Sequence, residues 1–421
     1  MIAVEFFDRT PIENAISSLT TVPDKIIFIG DISDMKKRER GFSAFQKEIN
    51  AKTEIKYQPI RKNNLNSIVE ALSKIVEQDD DIVFDLTGGS DLVLVAMGIV
   101  YQKYPQKNIQ LQRFNIDGNM VIDCDNDGNV VYTGTPQISV EQNILLYGGV
   151  IRYDNNDSKT FNWNLTDDFV SDIKTVWSIC KSNPGHWNSL INILEAINQR
   201  DFSLQNNTGL AVCAKISYLK HYLKVNKIKW TPIDKFLKGL ENHGLIVSYV
   251  NDSEYITYTY KNEQVKKCLT KAGNALELKV FDILRNLKRD DDTLLFNDAM
   301  NGVYIDWDGE LHAKNDTTKD TENEIDIMLM QGIRPIFISC KNGQVLQDEL
   351  YKLETVANRF GGPYAKKILI STYTDTKPER QKYFEQRAKD MGISLIKNVH
   401  TITSDKALIK RFNEIIYNTK V

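Results

Sequence analysis

Asn323-Glu324-Ile325-Asp326-Ile327-Met328-Leu329, followed closely by Phe337-Ile338-Ser339-Cys340-Lys341, is the stretch on which the reading of this chain turns. Both segments are dominated by apolar residues, and Gln331-Gly332 between them is a turn signal, so they read as a hairpin of buried strands. The charged residues stand out against that background. Asp326 and Lys341 fall on neighbouring strands, within reach of one bound phosphate. A carboxylate that holds Mg2+ or Mn2+ beside a lysine that orients water or neutralises phosphate suits metal-dependent phosphodiester cleavage. The plainer alternative is an Asp and a Lys that are merely solvated at strand ends. The apolar run Pro335-Ile336-Phe337-Ile338 leading to Lys341 argues against it.

Working outward, nuclease chemistry needs a second metal-binding oxygen. Glu277, in the first turns of a helix that opens near Gly273, is the best candidate; a solvated helix glutamate is its alternative. Strand alternation puts Ser339 on the face of Lys341, and Glu324 on that of Asp326 as a reserve ligand. Cys340 points the other way, but its backbone carbonyl is available to a metal. Glu349 on the following helix either reaches the site or is surface charge. Arg359 either contacts phosphate or caps its helix. The five histidines, His186, His221, His243, His312 and His400, have no HxH, HxxxH or HExxH spacing, which argues against zinc hydrolase and HNH chemistry. No nucleophile elbow marks a Ser/His/Asp enzyme.

A chain of 421 residues exceeds one ordinary core, so about two or three domains are expected. No apolar run approaches the ~20 residues that span a bilayer, and the start already reads as a strand rather than a signal peptide. Five scattered cysteines, Cys124, Cys180, Cys213, Cys268 and Cys340, form no CxxC, which speaks against zinc and disulfide frameworks and fits a reducing cytoplasm. The net charge of -3 gives no global field for nucleic acid, so such contacts must come from local patches.

Residues 1–150 alternate continuous apolar strands (2–7, 25–30, 54–58, 81–86, 110–115, with short ones at 121–123 and 130–132) with helices (11–19, 41–49, 66–77, 90–101). That order means a mostly parallel, doubly wound α/β sheet, whose ligands bind at the carboxyl ends of strands. Two such ends stand out: Phe7-Asp8-Arg9-Thr10-Pro11 and Asp85-Leu86-Thr87-Gly88-Gly89-Ser90-Asp91. The second offers glycines, hydroxyls and a helix N-terminus to a phosphate; it is alternatively a tight turn with Ser90 as N-cap. It is no Walker loop, since no GK[ST] follows.

Residues 151–270 turn helical (168–181, 187–196, 209–223, 232–242) and close with strands at 245–249 and 255–260, a winged-helix-like order. Its basic residues, Lys215, Lys220, Lys224, Lys227 and Lys229, form no arginine cluster, which favours a spacer over a sequence reader. Residues 271–421 open with the Glu277 helix and continue with strands at 293–297, 303–307, 324–330 and 334–341. Further elements are expected at 346–360, 367–371, 377–391, 394–396 and 406–417, giving a central antiparallel-to-mixed sheet with flanking helices.

Asp326…Ser339-Cys340-Lys341 with Glu277 resembles the PD-(D/E)xK restriction-endonuclease-like superfamily, with serine where the acid two before the lysine is usual. The Asp85–Asp91 turn resembles the CRISPR-associated Rossmann fold (CARF), departing from its N-x-T-G-G-T-K-like form at Asp85, Ser90 and Asp91. The order and length of the modules match the cyclic-oligoadenylate-activated CARF nucleases of type III CRISPR systems. The resemblance implies a homodimer that binds a cyclic oligoadenylate, in this branch most often the tetra-adenylate, as an allosteric activator. It also implies a Mn2+- or Mg2+-dependent endonuclease that cuts single-stranded RNA or DNA or nicks supercoiled DNA. Carried over, Thr87, Gly88, Gly89 and Ser90 line the effector site; Asp8, Arg9, Thr10 and Asp31 join by topology. Asp326, Glu277 and the Cys340 carbonyl hold metal, with Lys341 and Ser339 completing the catalytic set. Two other classes stay open: a CARF and winged-helix transcription regulator without catalysis, and a restriction or repair nuclease that ignores cyclic nucleotides.

Overall fold

The structure is a computed structural model. It describes residues 1–116, 120–123, 134–153, 160–161, 163–183, 185–199, 209–225, 231–252, 254–309, 322–373 and 377–417. The strand expected at 130–132, together with Cys124, His312, Lys227 and Lys229, lies outside the described residues.

The amino-terminal strands are β1 (Ile2–Phe6), β2 (Lys25–Gly30), β3 (Glu54–Pro59), β4 (Asp81–Asp85), β5 (Asn108–Asn115) and β6 (Met120–Asp123). Between them run the helices α1 (Ile16–Leu19), α2 (Ile32–Glu48), α3 (Leu65–Gln78) and α4 (Asp91–Lys103). The sheet order is β3-β2-β1-β4-β5-β6, parallel except for the final antiparallel pair of β5 and β6. Strand alternation sorts the core. Val4, Ile82 and Phe84 pack with Leu72 and Val76 of α3 and Met97 of α4. Phe7 and Phe28 meet Phe42 of α2 edge-on at 6.2 and 5.1 Å.

This is the doubly wound sheet expected, and its strand order reverses between β1 and β4. There the two strand ends singled out in the sequence lie side by side. Helix α2 is longer than its expected core at 41–49. Its first turns are polar and show no apolar stripe, but Asp31 starts the helix by accepting a 2.8 Å bond from the Ser33 amide.

The chain continues with α5 (Val140–Leu146) and β7 (Val150–Ile151), both unforeseen, then α6 (Asp167–Ser182) and α7 (Trp187–Gln199). Next come β8 (Ala211–Lys215), α8 (Ile216–Val225), α9 (Thr231–Asn242), β9 (Ile246–Asn251) and β10 (Tyr255–Tyr260). The helix expected to begin at 209 is corrected here. Residues 211–215 are a strand, because Val212 and Ala214 alternate inward and the backbone pairs antiparallel with β10. The winged-helix-like segment therefore carries a three-stranded sheet, β8-β10-β9, rather than a bare hairpin.

The remaining elements are α10 (Glu263–Cys268), α11 (Asn274–Arg285), β11 (Asp298–Asp306), β12 (Glu322–Gln331) and β13 (Arg334–Gln344), then α12 (Gln347–Gly361), β14 (Lys366–Tyr373), α13 (Pro378–Asp390), β15 (Ile393–Ile396) and α14 (Asp405–Tyr417). The strand expected at 293–297 is not formed. Leu294 makes only an isolated bridge to Lys288 and is 51% exposed. A mixed six-stranded sheet has the order β15-β14-β13-β12-β11-β7. By compactness the chain divides into one unit of Met1–Thr160, Lys288–Phe337 and Leu353–Lys367, and another of Phe161–Leu287, Ile338–Lys352 and Ile368–Val421.

Candidate functional site

Two places carry chemistry. At the first, β12 and β13 are neighbours in the sheet and are joined by a turn whose Gly332 has φ 66, a left-handed conformation that suits glycine. Apolar Ile325, Ile327 and Leu329 alternate with Glu324, Asp326 and Met328 along β12, so the two acids share a face. Asp326 is buried at 7% exposure. Asn301 and Val303 on β11 pair with Ile327 and Ile325, which leaves Gly302 opposite Asp326. A side chain at Gly302, where φ is 60, would meet nothing within 4 Å, so no bulk crowds the carboxylate from that strand. The Asn301 amide, itself buried, donates 3.0 Å to the Asp326 carbonyl and pins the strand there.

Glu277 lies in the first turn of α11 and is 4% exposed. Its carboxylate folds back over Gly273: a methyl group built on that glycine would stand 2.1 Å from Glu277 Oε1. Glu277, Glu324 and Asp326 each offer an oxygen within 4.8 Å of the others. Anions gathered this closely, two of them buried, repel one another unless a cation is shared. The donor set, all carboxylate oxygen, fits Mg2+ or Mn2+ and not a soft metal.

On β13, Ser339 and Cys340 are buried, while the Lys341 side chain is one-third exposed. Lys341 Nζ lies 3.1 Å from Glu349 Oε2 on α12, whose other oxygen takes Lys352 at 3.0 Å. Burial alone would raise the Glu349 carboxyl; the two lysines outweigh it and hold it below the usual range. Arg359 donates to the Tyr147 carbonyl at 2.7 Å and the Trp307 carbonyl at 3.2 Å, so its guanidinium is engaged by backbone.

The second place is a cleft of about 670 Å³ at the β1/β4 switch point, lined by Asp8, Thr10, Thr87, Gly88 and Gly89 from the sequence reading, and by Glu13 and Arg113 besides. Next to its lining residue Thr87 lies a buried polar cluster around Asp85. The Asp85 carboxylate takes the Thr87 amide at 2.7 Å on one oxygen, and Ser17 Oγ at 2.9 Å and Gln112 Nε2 at 3.0 Å on the other. Burial raises its carboxyl against these bonds. Glu5, in register with Asp85, is pushed well up by burial and by the Asp85 charge. Asp8 accepts the Thr10 amide at 2.9 Å and the Gly89 amide at 3.3 Å, tying both strand ends together.

Gly88 is held to glycine by space: a Cβ there would lie 3.0 Å from Glu13 Oε2 and 3.2 Å from Asp8 Cβ. Glu13, which the sequence reading passed over, accepts a 2.6 Å bond from Tyr364 Oη. Burial drives its carboxyl up to about 7, the Tyr364 bond pulls the other way, and Asp8 adds to the rise. Only its position just past β1 could have flagged it. Three expected residues stand off the cleft lining. Ser90 is the N-cap of α4 yet makes no capping side-chain bond. Arg9 lies 3.4 Å from Asp34, and the Asp31 carboxylate takes Ser33 Oγ at 2.6 Å.

Comparison with known proteins bears on both places. Residues 262–414 match the family "Card1-like, endonuclease domain". No curated protein matches the chain. Among solved structures, the protein VC1899 from Vibrio cholerae is similar with a TM-score of 0.73 and 18% identity, over 98% of either chain. Can2 from Sulfobacillus thermosulfidooxidans, solved with cyclic tetra-adenylate, is similar with a TM-score of 0.64 and 18% identity, over 97% of this chain and 98% of that one. Residues 262–414 thus resemble a Card1-like endonuclease domain, which marks the chain as an endonuclease, and its fold is similar throughout to those of VC1899 and Can2.

Proposed function

We propose that this endonuclease is switched on by a cyclic oligoadenylate, cyclic tetra-adenylate first among them, and serves type III CRISPR defence. Residues 1–150 act as the sensor, 151–270 as the winged-helix-like link and 271–421 as the nuclease. The carboxylate cluster of Glu277, Glu324 and Asp326, in a chain whose Lys341 is on the strand next to Asp326's, carries the nuclease half of this reading. Glu324 supplies the charge that Ser339 does not. A bound Mn2+ or Mg2+ would act as Lewis acid toward the scissile phosphate. Glu277, Glu324 and Asp326 hold that ion, Lys341 neutralises the phosphate or orients water, and Glu349 aims the lysine.

For the sensor half, the support is a cleft at the topological switch point with paired glycines and threonines at its rim, in a fold similar to that of Can2, which was solved with cyclic tetra-adenylate. Thr10, Thr87, Gly88 and Gly89 approach the ligand backbone, Arg113 meets a phosphate, and Asp8 and Glu13 accept from adenine amino groups. An apolar stripe on α4, Leu92, Val95 and Ile99 at 37–50% exposure, follows directly on the glycine turn and suits a homodimer contact.

Cleavage of labelled single-stranded RNA, single-stranded DNA and supercoiled plasmid with Mn2+, with and without cyclic tetra-adenylate, tests the whole reading. Cleavage that needs the activator and is lost in Lys341→Ala supports it. Cleavage without activator leaves a plain nuclease. Tight activator binding with no cleavage of any substrate favours a regulator.

A further inference from the structure

The nuclease part holds another concavity, of about 390 Å³, where β13 ends. Leu369, Leu395 and Phe384 give it an apolar floor, and Arg380, Tyr383 and Arg387 of α13 stand along its side. Gln344 and Gln347 close it toward the catalytic strand. Gln344 is the last residue of the strand that carries Lys341, on the order of 10 Å further along it. Gln347 opens α12, which carries the Glu349 that grips Lys341. The concavity and the catalytic lysine therefore share one strand end and one helix start.

Its chemistry is that of a single-strand platform. Cations line it at Arg380, Arg387 and Lys397, and among the described residues no carboxylate does, against a net charge of -3 for the chain. Lys397 pairs with Glu385. Tyr383 is 73% exposed, an aromatic ring left in water with no core to serve. The Arg387 guanidinium lies 5.8 Å from the ring centre of Tyr351, itself 45% exposed, and bonds its hydroxyl. Apolar floor, exposed ring and flanking arginines are the combination on which an unpaired base stacks while its phosphates are neutralised.

We infer that this concavity takes one unpaired nucleobase of the substrate, with the adjoining phosphates on Arg380 and Arg387 and the strand led on toward Lys341. A base in a duplex is stacked and paired and cannot enter, so the subsite takes only a stretch of strand whose bases are free. It rests on the nuclease reading and deepens it.

The test is fluorescence anisotropy of a short labelled single strand on the full chain, in EDTA with cyclic tetra-adenylate present, beside cleavage in Mn2+. Tyr383→Ala should bind the strand about 5- to 100-fold more weakly, as loss of one stacked base predicts, and Tyr383→Phe should bind it as the parent does. Arg380→Ala should lower the salt dependence of binding by a slope of about 0.7. A blunt duplex of the same sequence should bind more weakly and ignore Tyr383→Ala. Thermal melting verifies that these surface changes leave the fold intact. Parent-like binding and parent-like KM in both alanine variants, with cleavage retained, would overturn the subsite alone. A parent protein that neither binds nor cuts any nucleic acid would overturn the nuclease reading and the subsite with it.

Discussion

The cleft at the β1/β4 switch point and the carboxylate cluster both gather acidic side chains, and they arrange the charge differently. In and beside the cleft, carboxylates are bound by the protein itself: Asp85 by Ser17, Gln112 and the Thr87 amide, Asp8 by the Thr10 and Gly89 amides, Glu13 by Tyr364. These acids shape loops, and burial favours their neutral forms at Glu5, Glu13 and Asp85. In the nuclease, Glu277, Glu324 and Asp326 turn oxygens toward one another within 4.8 Å. Such a set offers several oxygens to one cation, and a shared cation relieves the repulsion between them. A carboxylate that holds a loop tolerates neutralisation; one that holds an ion does not.

The hardest way to break this comparison is to neutralise one acid on each side. Asp326→Asn should cut cleavage by about 10³-fold, the scale of several kcal/mol of lost charge stabilisation, while Glu13→Gln should leave activated cleavage largely intact near pH 6. Equal losses in the cleavage assay would erase the distinction. Gly273→Ala sharpens it further. The new methyl displaces only the far end of Glu277, so the fold stays and metal-dependent activity should fall about 10- to 100-fold. Raised Mn2+ should restore part of that loss, and a calorimetric titration of the ion would follow it directly.

A smaller effect comes from pH. Glu13 has its carboxyl raised from 4.5 to about 7 in the folded chain. A raised carboxyl stabilises the fold fully below its unfolded value and loses that contribution as pH climbs through the folded value. Melting temperature should therefore decline between about pH 4.5 and 7 and decline less in Glu13→Gln. Affinity for the polyanionic activator should weaken over the upper part of that window, as Glu13 becomes charged. An activator affinity that is flat with pH in the parent would remove Glu13 from the site. Least of all, Ser90→Ala should change stability by under about 0.5 kcal/mol, because the cap it would remove is not made. A melting shift of several degrees would show that this turn is held differently.

Much of the fold was legible in local pattern. Period-two and continuous apolar runs marked β1 to β5, and Asp326 and Lys341 announced themselves as charges inside such runs. Local pattern failed where a neighbour overruled it. Ala211-Val212-Cys213-Ala214-Lys215 has the alanines of a helix but is recruited as a strand by β10. The polar first half of α2 shows no stripe because only Met35 there is buried. Helix α5 lay unseen because its signal is brief, although Ser139 and Gln142 form a capping box at its start.

By itself, then, the sequence determined the doubly wound amino-terminal sheet, the glycine turn after β4 and the β12–β13 hairpin with its acid and its lysine. These follow from periodicity and turn chemistry, which act over a few residues. The tertiary structure decided between the alternatives that the sequence left open for Glu277, Glu324 and Glu349, and found Glu13. It joined Glu324 to Asp326 and Glu277, gave Glu349 to Lys341, and brought Tyr364 to Glu13 across hundreds of residues of chain. Distances of a few ångströms between side chains far apart in sequence depend on strand register and helix packing, and no local pattern encodes them.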